Sequence, residues 1–291
     1  MLTSTPHVLV TGANGQLGRD VVTELLNRRI EYTATDVDTL DITDKNAVRG
    51  LIGRCSPDAV IHCAAYTNVD KAEEERVVCA AVNVTGASNV AKACALSGAK
   101  LVYISSDYVY GETAGTPKNE SPLTPDSPTN PVNWYGRSKL EGERAAAAVI
   151  SKLFIVRTSW LFGENGSNFV KTMTRLGQER DMIRVVSDQT GSPTYTKDLV
   201  PLLCDMAATE KYGVYNASNE GFCSWAEFAR QILRLSGSKA VVEPVTAAEY
   251  GAKATRQLNS RLSKDCLDRA GFGRLPHWRD ALERFMRGLD A

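Results

Sequence analysis

His7-Val-Leu-Val-Thr-Gly-Ala-Asn-Gly-Gln-Leu-Gly18 is the stretch on which the fold turns. A short, mostly apolar run opens directly into Gly12-x-x-Gly15-x-x-Gly18. An amphipathic segment from Asp20 to Arg28 follows, with Val21, Val22, Leu25 and Leu26 on one side. That order predicts strand, tight turn, helix. Glycine lets the backbone bend sharply and come close to a diphosphate, and the helix start supplies unpaired N–H groups and the positive dipole end. Placed this way, Gly12, Asn14, Gly15, Gln16, Leu17 and Gly18 are expected to cradle a dinucleotide.

Outward from the turn, Glu31 to Asp36 reads as the second strand, and Asp44 as the cap of a helix running to Arg54. Asp58 to His62 is a third strand, Glu75 to Ser97 a largely helical stretch, Lys100 to Ser105 a fourth strand, and Leu153 to Arg157 a fifth. Short apolar strands alternating with helices predict a parallel sheet covered on both faces, an α/β doubly wound sheet of the Rossmann type. Asp36, at the end of the second strand, would accept from the adenosine ribose hydroxyls and repel a 2′-phosphate, which favours NADH over NADPH. Asp41 and Ile42 are placed to meet the adenine. Ala64, Ala65 and Tyr66 put small residues where the chain passes the cofactor, and Ile104 lies on the strand beside it.

Beyond Thr158 the alternation weakens. Helices are expected over 168–178 and 196–208 and from Ser224 to Leu235, strands over 183–186 and 213–216, and a polar loop over 188–194. The expected division is a dinucleotide-binding domain over 1–160, joined by parts of 190–220, and a smaller substrate-binding lobe mainly over 161–291. Gly111 to Pro131 holds five Pro and reads as a long loop; its position between Ser106 and Tyr135 points to function.

Tyr135 and Lys139 stand four apart in Asn133-Trp-Tyr-Gly-Arg-Ser-Lys139 and so share a helix face. An ammonium beside a phenol is expected to favour the phenolate and lower the tyrosine pKa. A hydroxyl at the end of the neighbouring strand, Ser106, would orient a carbonyl between them. The pattern alone is weak; its place after a glycine turn, a strand ending in Ser106-Asp107 and a Pro-rich loop gives it weight.

Lys+Arg 34 balances Asp+Glu 34, so no global field attracts nucleic acid or anionic lipid. Seven scattered Cys, without a Cys-x-x-Cys, speak against zinc and a disulfide framework and suit a reducing cytosol. The start of the chain lacks a signal-peptide pattern, and no apolar run approaches the roughly 20 residues of a membrane span.

The glycine turn, Ser105-Ser-Asp107 and Tyr135-x-x-x-Lys139 together resemble the extended short-chain dehydrogenase/reductase family. Asp41-Ile-Thr-Asp44, Thr67-Asn-Val-Asp-Lys-Ala-Glu73, Arg157-Thr-Ser-Trp160 and Ser187-Asp-Gln-Thr-Gly-Ser-Pro-Thr194 narrow the resemblance to one subgroup. It implies reduction by NADPH or NADH of the C4 ketone of dTDP-4-dehydro-β-L-rhamnose to dTDP-L-rhamnose. In that reading Tyr135 is the general acid, Lys139 lowers its pKa and binds the nicotinamide ribose, and Ser106 hydrogen-bonds the ketone, where the family usually has Thr. Asp107 and Trp160 would touch the sugar. Asn83 matches a position tied elsewhere to a proton relay, with a structural role equally open. Some relatives hold a divalent metal at a dimer contact; Asp20 keeps one acid, but Lys197 stands where a second is needed, so no metal is expected and a homodimer is left open. The alternatives are another nucleotide-sugar reductase or epimerase, and a non-catalytic NAD(P)-binding regulatory subunit. His62 and Cys63 read as packing residues. Trp134 reads equally as a pocket wall or a filler at the loop base. Arg256 and Asn259-Ser-Arg-Leu262 resemble a C-terminal segment of the family, with Gln257 in place of an expected Pro.

Overall fold

The computed structural model describes residues 6–111 and 121–289. Residues 112–120 of the Pro-rich stretch and residues 1–5 at the start of the chain therefore lie outside the described residues.

Six parallel strands form the central sheet: β1 (His7–Thr11), β2 (Glu31–Thr35), β3 (Ala59–His62), β4 (Lys100–Ser106), β5 (Leu153–Thr158) and β6 (Gly213–Asn216). Their order is β6-β5-β4-β3-β1-β2. The chain leaves β1 toward β2 on one side and resumes with β3 on the other, so the order reverses between β1 and β3. In an open α/β sheet the ligand crevice forms beyond the strand ends at such a switch point. β3 and β5 are buried at every position, as a sheet covered on both faces requires.

Each local signal has a physical counterpart. Asp44 caps the helix Lys45–Cys55, its carboxylate accepting from the backbone N–H of Asn46 and Ala47. Ser224 and Glu227 form a reciprocal capping box at the start of Trp225–Leu235. One helical stretch bears on the sequence expectation about membrane spans. Arg76–Ser97 is long and apolar enough to cross a bilayer by length and composition. Asn83, Asn89 and Lys92 interrupt its apolar run, which is why a search for consecutive apolar residues passes over it. It is a core helix: half of the window is buried inside the protein, and Val90, Ala91 and Cys94 pack in the cluster that includes Val48, Ile52 and Ala146.

The region after Trp160 is also more ordered than its composition suggests. The polar segment 188–194, expected as a loop, supplies two short strands. Thr190–Gly191 pairs with Cys223–Ser224 and Asn259–Ser260, and Thr194–Tyr195 pairs with Leu161–Phe162. Ser192 and Thr194 are fully buried there; polar composition predicts exposure only where the backbone has no sheet to join. Met182–Val186 and Val241–Val245 form a further parallel pair. The helices Phe169–Glu179, Trp225–Leu235 and Trp278–Leu289 close over an apolar core built on Phe162, Tyr195, Phe228, Trp278 and Phe285.

Candidate active site

The glycine turn is built as tightly as a diphosphate cradle needs. Gly12 takes φ +66°, and a Cβ there would stand 2.6 Å from the Ala64 backbone nitrogen. A Cβ at Gly18 would stand 2.1 Å from the Gly12 carbonyl oxygen. Helix Gln16–Asn27 starts with no side-chain cap, so its first N–H groups are unclaimed by a capping side chain. Asp36 braces the turn: its carboxylate accepts from the backbone N–H of Asn14 and of Val37, both at 2.8 Å. Asp41 accepts from the Thr43 N–H and hydroxyl, which holds its carboxyl below the usual range. Ile42 packs so close to the helix that a Cβ at Gly86 would stand 2.6 Å from it.

From this turn a cleft of about 820 Å³ runs across the strand ends. Its walls include Gly12, Asn14, Gly15, Gln16, Leu17, Gly18, Asp36, Asp41, Ile42, Ala64, Ala65, Tyr66 and Ile104. They also include Ser106, Asp107, Tyr135, Lys139 and Trp160. Apart from Asn83, which does not line it, every residue expected from the sequence to meet the cofactor or the substrate or to transfer a proton therefore faces one cavity. Tyr108, Thr67 and Ser159 line it too and escaped the sequence reading. Tyr108 had a signal, since it directly follows Ser106-Asp107.

Helix Trp134–Ala147 carries Tyr135 and Lys139. Asn133 caps it, accepting from the Gly136 N–H at 2.8 Å. Gly136 lies hard against strand-end backbone, since a Cβ there would meet the Tyr108 carbonyl oxygen at 2.3 Å. That close approach brings Tyr135 edge-on to Tyr108, with ring centroids 5.5 Å apart. Ser106 stands between two partners. Its hydroxyl donates to Asp107 at 2.9 Å and accepts from the Tyr108 N–H at 3.2 Å, and it lies near enough to Tyr135 to act on that phenol.

The electrostatics correct one expectation. Burial raises the Tyr135 phenol well above its ordinary value, and the Ser106 hydroxyl opposes that only in part. The Lys139 ammonium does not create a phenolate; it lies over the Tyr103 ring, 4.3 Å from the centroid. Burial brings Lys139 itself down to about 8, against the pull of Glu143. Tyr135 is thus held as a neutral phenol, the form that gives a proton away. Burial also pushes the Asp107 carboxyl up to about 6, against hydrogen bonds from Ser260 and Ser106. Gln257 reaches the same carboxylate, its amide donating at 3.2 Å.

Other residues singled out from the sequence have partners within the protein. Asn83 sits in a π-helical turn, Ala81–Gly86. Its amide group accepts from the Tyr66 N–H at 2.8 Å and donates to the Tyr66 carbonyl and the Ser138 hydroxyl. It fixes the Ala64–Tyr66 wall. His62 is buried against the Thr11 hydroxyl at 2.6 Å. The guanidinium groups of Arg76 and Arg137 each lie 5.1 Å from the Trp134 ring centroid, and Trp134 is not part of the cleft wall. Arg256 forms a two-pronged pair with Asp70. Lys197 pairs with Glu164, and among the described residues no group of three or more His, Cys, Asp or Glu is arranged to hold a metal.

Trp160 adopts φ +48°, a left-handed backbone that a bulky residue rarely takes. The indole stacks on Trp225 with centroids 3.6 Å apart, and Gly191 leaves room for it, since a Cβ there would stand 2.8 Å from the ring. Beyond Trp225 lies a second cleft of about 780 Å³, walled in part by Arg184, Arg256, Trp225 and Tyr250. The two clefts meet at the tryptophan stack and at Val69–Asp70. No periodicity in the sequence marks Trp225 as a partner of Trp160.

A parallel sheet with a glycine turn at its switch point, and a Ser–Tyr–Lys constellation in the same cleft, define a nicotinamide-dependent short-chain reductase architecture. The family model described as the RmlD substrate binding domain matches residues 6–290, and the chain belongs to that family. A dTDP-4-dehydrorhamnose reductase of Streptomyces griseus is 42% identical over 95% of this chain and 92% of its own length. A spore coat polysaccharide biosynthesis protein of Bacillus subtilis is 40% identical over 96% of each. The crystal structure of dTDP-4-dehydrorhamnose reductase from Bacillus anthracis in complex with NADP superposes with a TM-score of 0.93 at 44% identity, covering 98% of this chain and 99% of that one.

Proposed function

We propose that this chain reduces the C4 ketone of dTDP-4-dehydro-β-L-rhamnose to dTDP-L-rhamnose, the last step of dTDP-rhamnose biosynthesis, with NADPH or NADH. The observation that carries this reading is the shared cleft: the glycine cradle and the Ser106–Tyr135 pair open into one cavity. Bound nicotinamide supplies the hydride to C4. As negative charge develops on the C4 oxygen, Ser106 donates a hydrogen bond and the Tyr135 phenol transfers its proton. Lys139 holds positive charge beside the cofactor ribose. Above about pH 6 the Asp107 carboxylate accepts from a sugar hydroxyl, and the Trp160 indole covers the sugar. The nucleoside diphosphate extends into the second cleft, where Arg184 and Arg256 supply cationic groups and Trp225 and Tyr250 aromatic faces. In this reading residues 1–160 with parts of 190–220 hold the cofactor, and most of 161–291 holds the sugar nucleotide.

The test is a coupled assay starting from dTDP-glucose, with the upstream dehydratase and epimerase supplied. Cofactor oxidation and formation of dTDP-L-rhamnose are expected together; a chain that leaves the ketosugar intact with both cofactors would sink the reading. The same assay tests the ribose contact. Asp36→Asn keeps an acceptor for the Asn14 N–H but removes the charge that repels a 2′-phosphate. It is expected to shift the NADPH-to-NADH ratio of kcat/KM upward by about ten-fold, and an unchanged ratio would free Asp36 of that role.

A further inference from the structure

We infer that Tyr103 is a positioning residue for the proposed reduction: the face of its ring holds the Lys139 ammonium in place and in its charged form. The inference rests on the reading of Lys139 as the cation beside the cofactor. Lys139 is 2% exposed and Tyr103 1%, so the ammonium is cut off from most of the water that would solvate it. Among the described residues it forms no ion pair. The nearest carboxylate along its helix, Glu143, is already engaged by Arg157 and Ser105. What lies under the ammonium is the Tyr103 ring, 4.3 Å to its centroid. A buried cation on an aromatic face recovers part of its lost hydration.

The ring is itself held in place from behind. Thr11, His62 and Tyr103 are register partners on β1, β3 and β4. The Thr11 hydroxyl bonds the His62 ring, which stacks on Tyr103 at 5.8 Å. Burial brings His62 down to about 3, so no second positive charge stands behind the ring. The other groups acting on Lys139 are Glu143 on its own helix, Cys79 from Arg76–Ser97, and Cys63 after β3. Burial pushes both thiols up, Cys63 to about 12, which leaves them neutral. Tyr135, one turn back on the same helix, is a neutral phenol. The Tyr103 hydroxyl is buried without a hydrogen-bond partner, so the ring, and not the hydroxyl, is what Lys139 uses.

The sign follows directly. Lys139 titrates below its ordinary value, so the cation is present below about pH 8 and lost above it. Removing the ring lowers that midpoint further. The measurement is NMR of protein labelled with carbon-13 at the lysine ε position, the Lys139 signal assigned with Lys139→Met. Tyr103→Leu is expected to lower the midpoint by about one pH unit, and Tyr103→Phe to leave it within about 0.3 unit. In the reductase assay the alkaline limb of kcat/KM should move down with it in the Leu variant alone. If Tyr103→Leu does not fold, Tyr103→Met carries the same expectation, since it fills the space without a π face. A folded Leu or Met variant with an unmoved midpoint overturns the inference, as does a Phe variant that shifts as far as Leu. The titration reads the apoprotein, so a failure of the reductase reading leaves it standing as a separate result.

Discussion

Tyr135→Phe is expected to lower kcat for the ketosugar by about a thousand-fold, within the range that a positioned proton donor contributes. Phenylalanine keeps the edge-on contact with Tyr108 and the helix capped by Asn133. What it removes is the proton that, in the proposed reaction, reaches the C4 oxygen as the hydride arrives. In the proposed reading the dinucleotide is held mainly by the glycine turn, Asp36 and the Ala64–Tyr66 wall, so its affinity should change by no more than about two- to three-fold. The loss should therefore fall on kcat and not on cofactor binding. Single-turnover oxidation of NADPH, read beside a fluorescence titration of cofactor binding, separates the two. A variant that turns over within ten-fold of the parent would remove Tyr135 from the proton-donor role, and a variant that has lost cofactor binding would leave the site reading without its main support. The neutral phenol matters here. Burial raises the phenol well above its ordinary value, which keeps the proton on Tyr135 until charge develops on the C4 oxygen.

The raised phenol could not be read from Tyr135-x-x-x-Lys139, because spacing gives the helix face and not the neighbours. The strands of the central sheet, the glycine turn, the Asp44 and Ser224 helix starts and the helix face shared by Tyr135 and Lys139 follow from local periodicity and side-chain chemistry. These are interactions within a few residues, and a sequence records them directly. The contacts that set the electrostatics join distant segments. Tyr103 lies under Lys139 because β4 neighbours the helix, Gln257 reaches Asp107 across 150 positions, and Trp225 meets Trp160 through a Gly191 that carries no visible signal. The segment 188–194 misled for the same reason: its strands exist only because residues 161–162, 223–224 and 259–260 arrive beside it.

The largest stability loss is expected at a buried pair behind the site. Arg157 on β5 grips Glu143 with two bonds, at 2.9 and 2.7 Å, and the two side chains are 6% and 5% exposed. The Ser105 hydroxyl donates to the same carboxylate at 2.5 Å. The guanidinium also donates to the Tyr110 hydroxyl and the Pro125 carbonyl. Through these bonds one side chain joins β4, β5, the helix carrying Lys139 and the far end of the Pro-rich stretch. Arg157→Leu leaves the carboxylate buried with only the Ser105 hydroxyl, and should cost about 3–5 kcal/mol, or roughly 10 °C in Tm for a chain of this size. Most of that cost is the stranded charge and not the attraction itself, because each ion gave up its water to enter the interior. Adding Glu143→Leu should therefore restore part of the loss, giving a double variant more stable than Arg157→Leu alone. Thermal unfolding of the parent, the single and the double variant checks this. A single variant within about 1 kcal/mol of the parent would show that water reaches the pair, and a double variant less stable than the single would show that the four-way hydrogen bonding outweighs the charge.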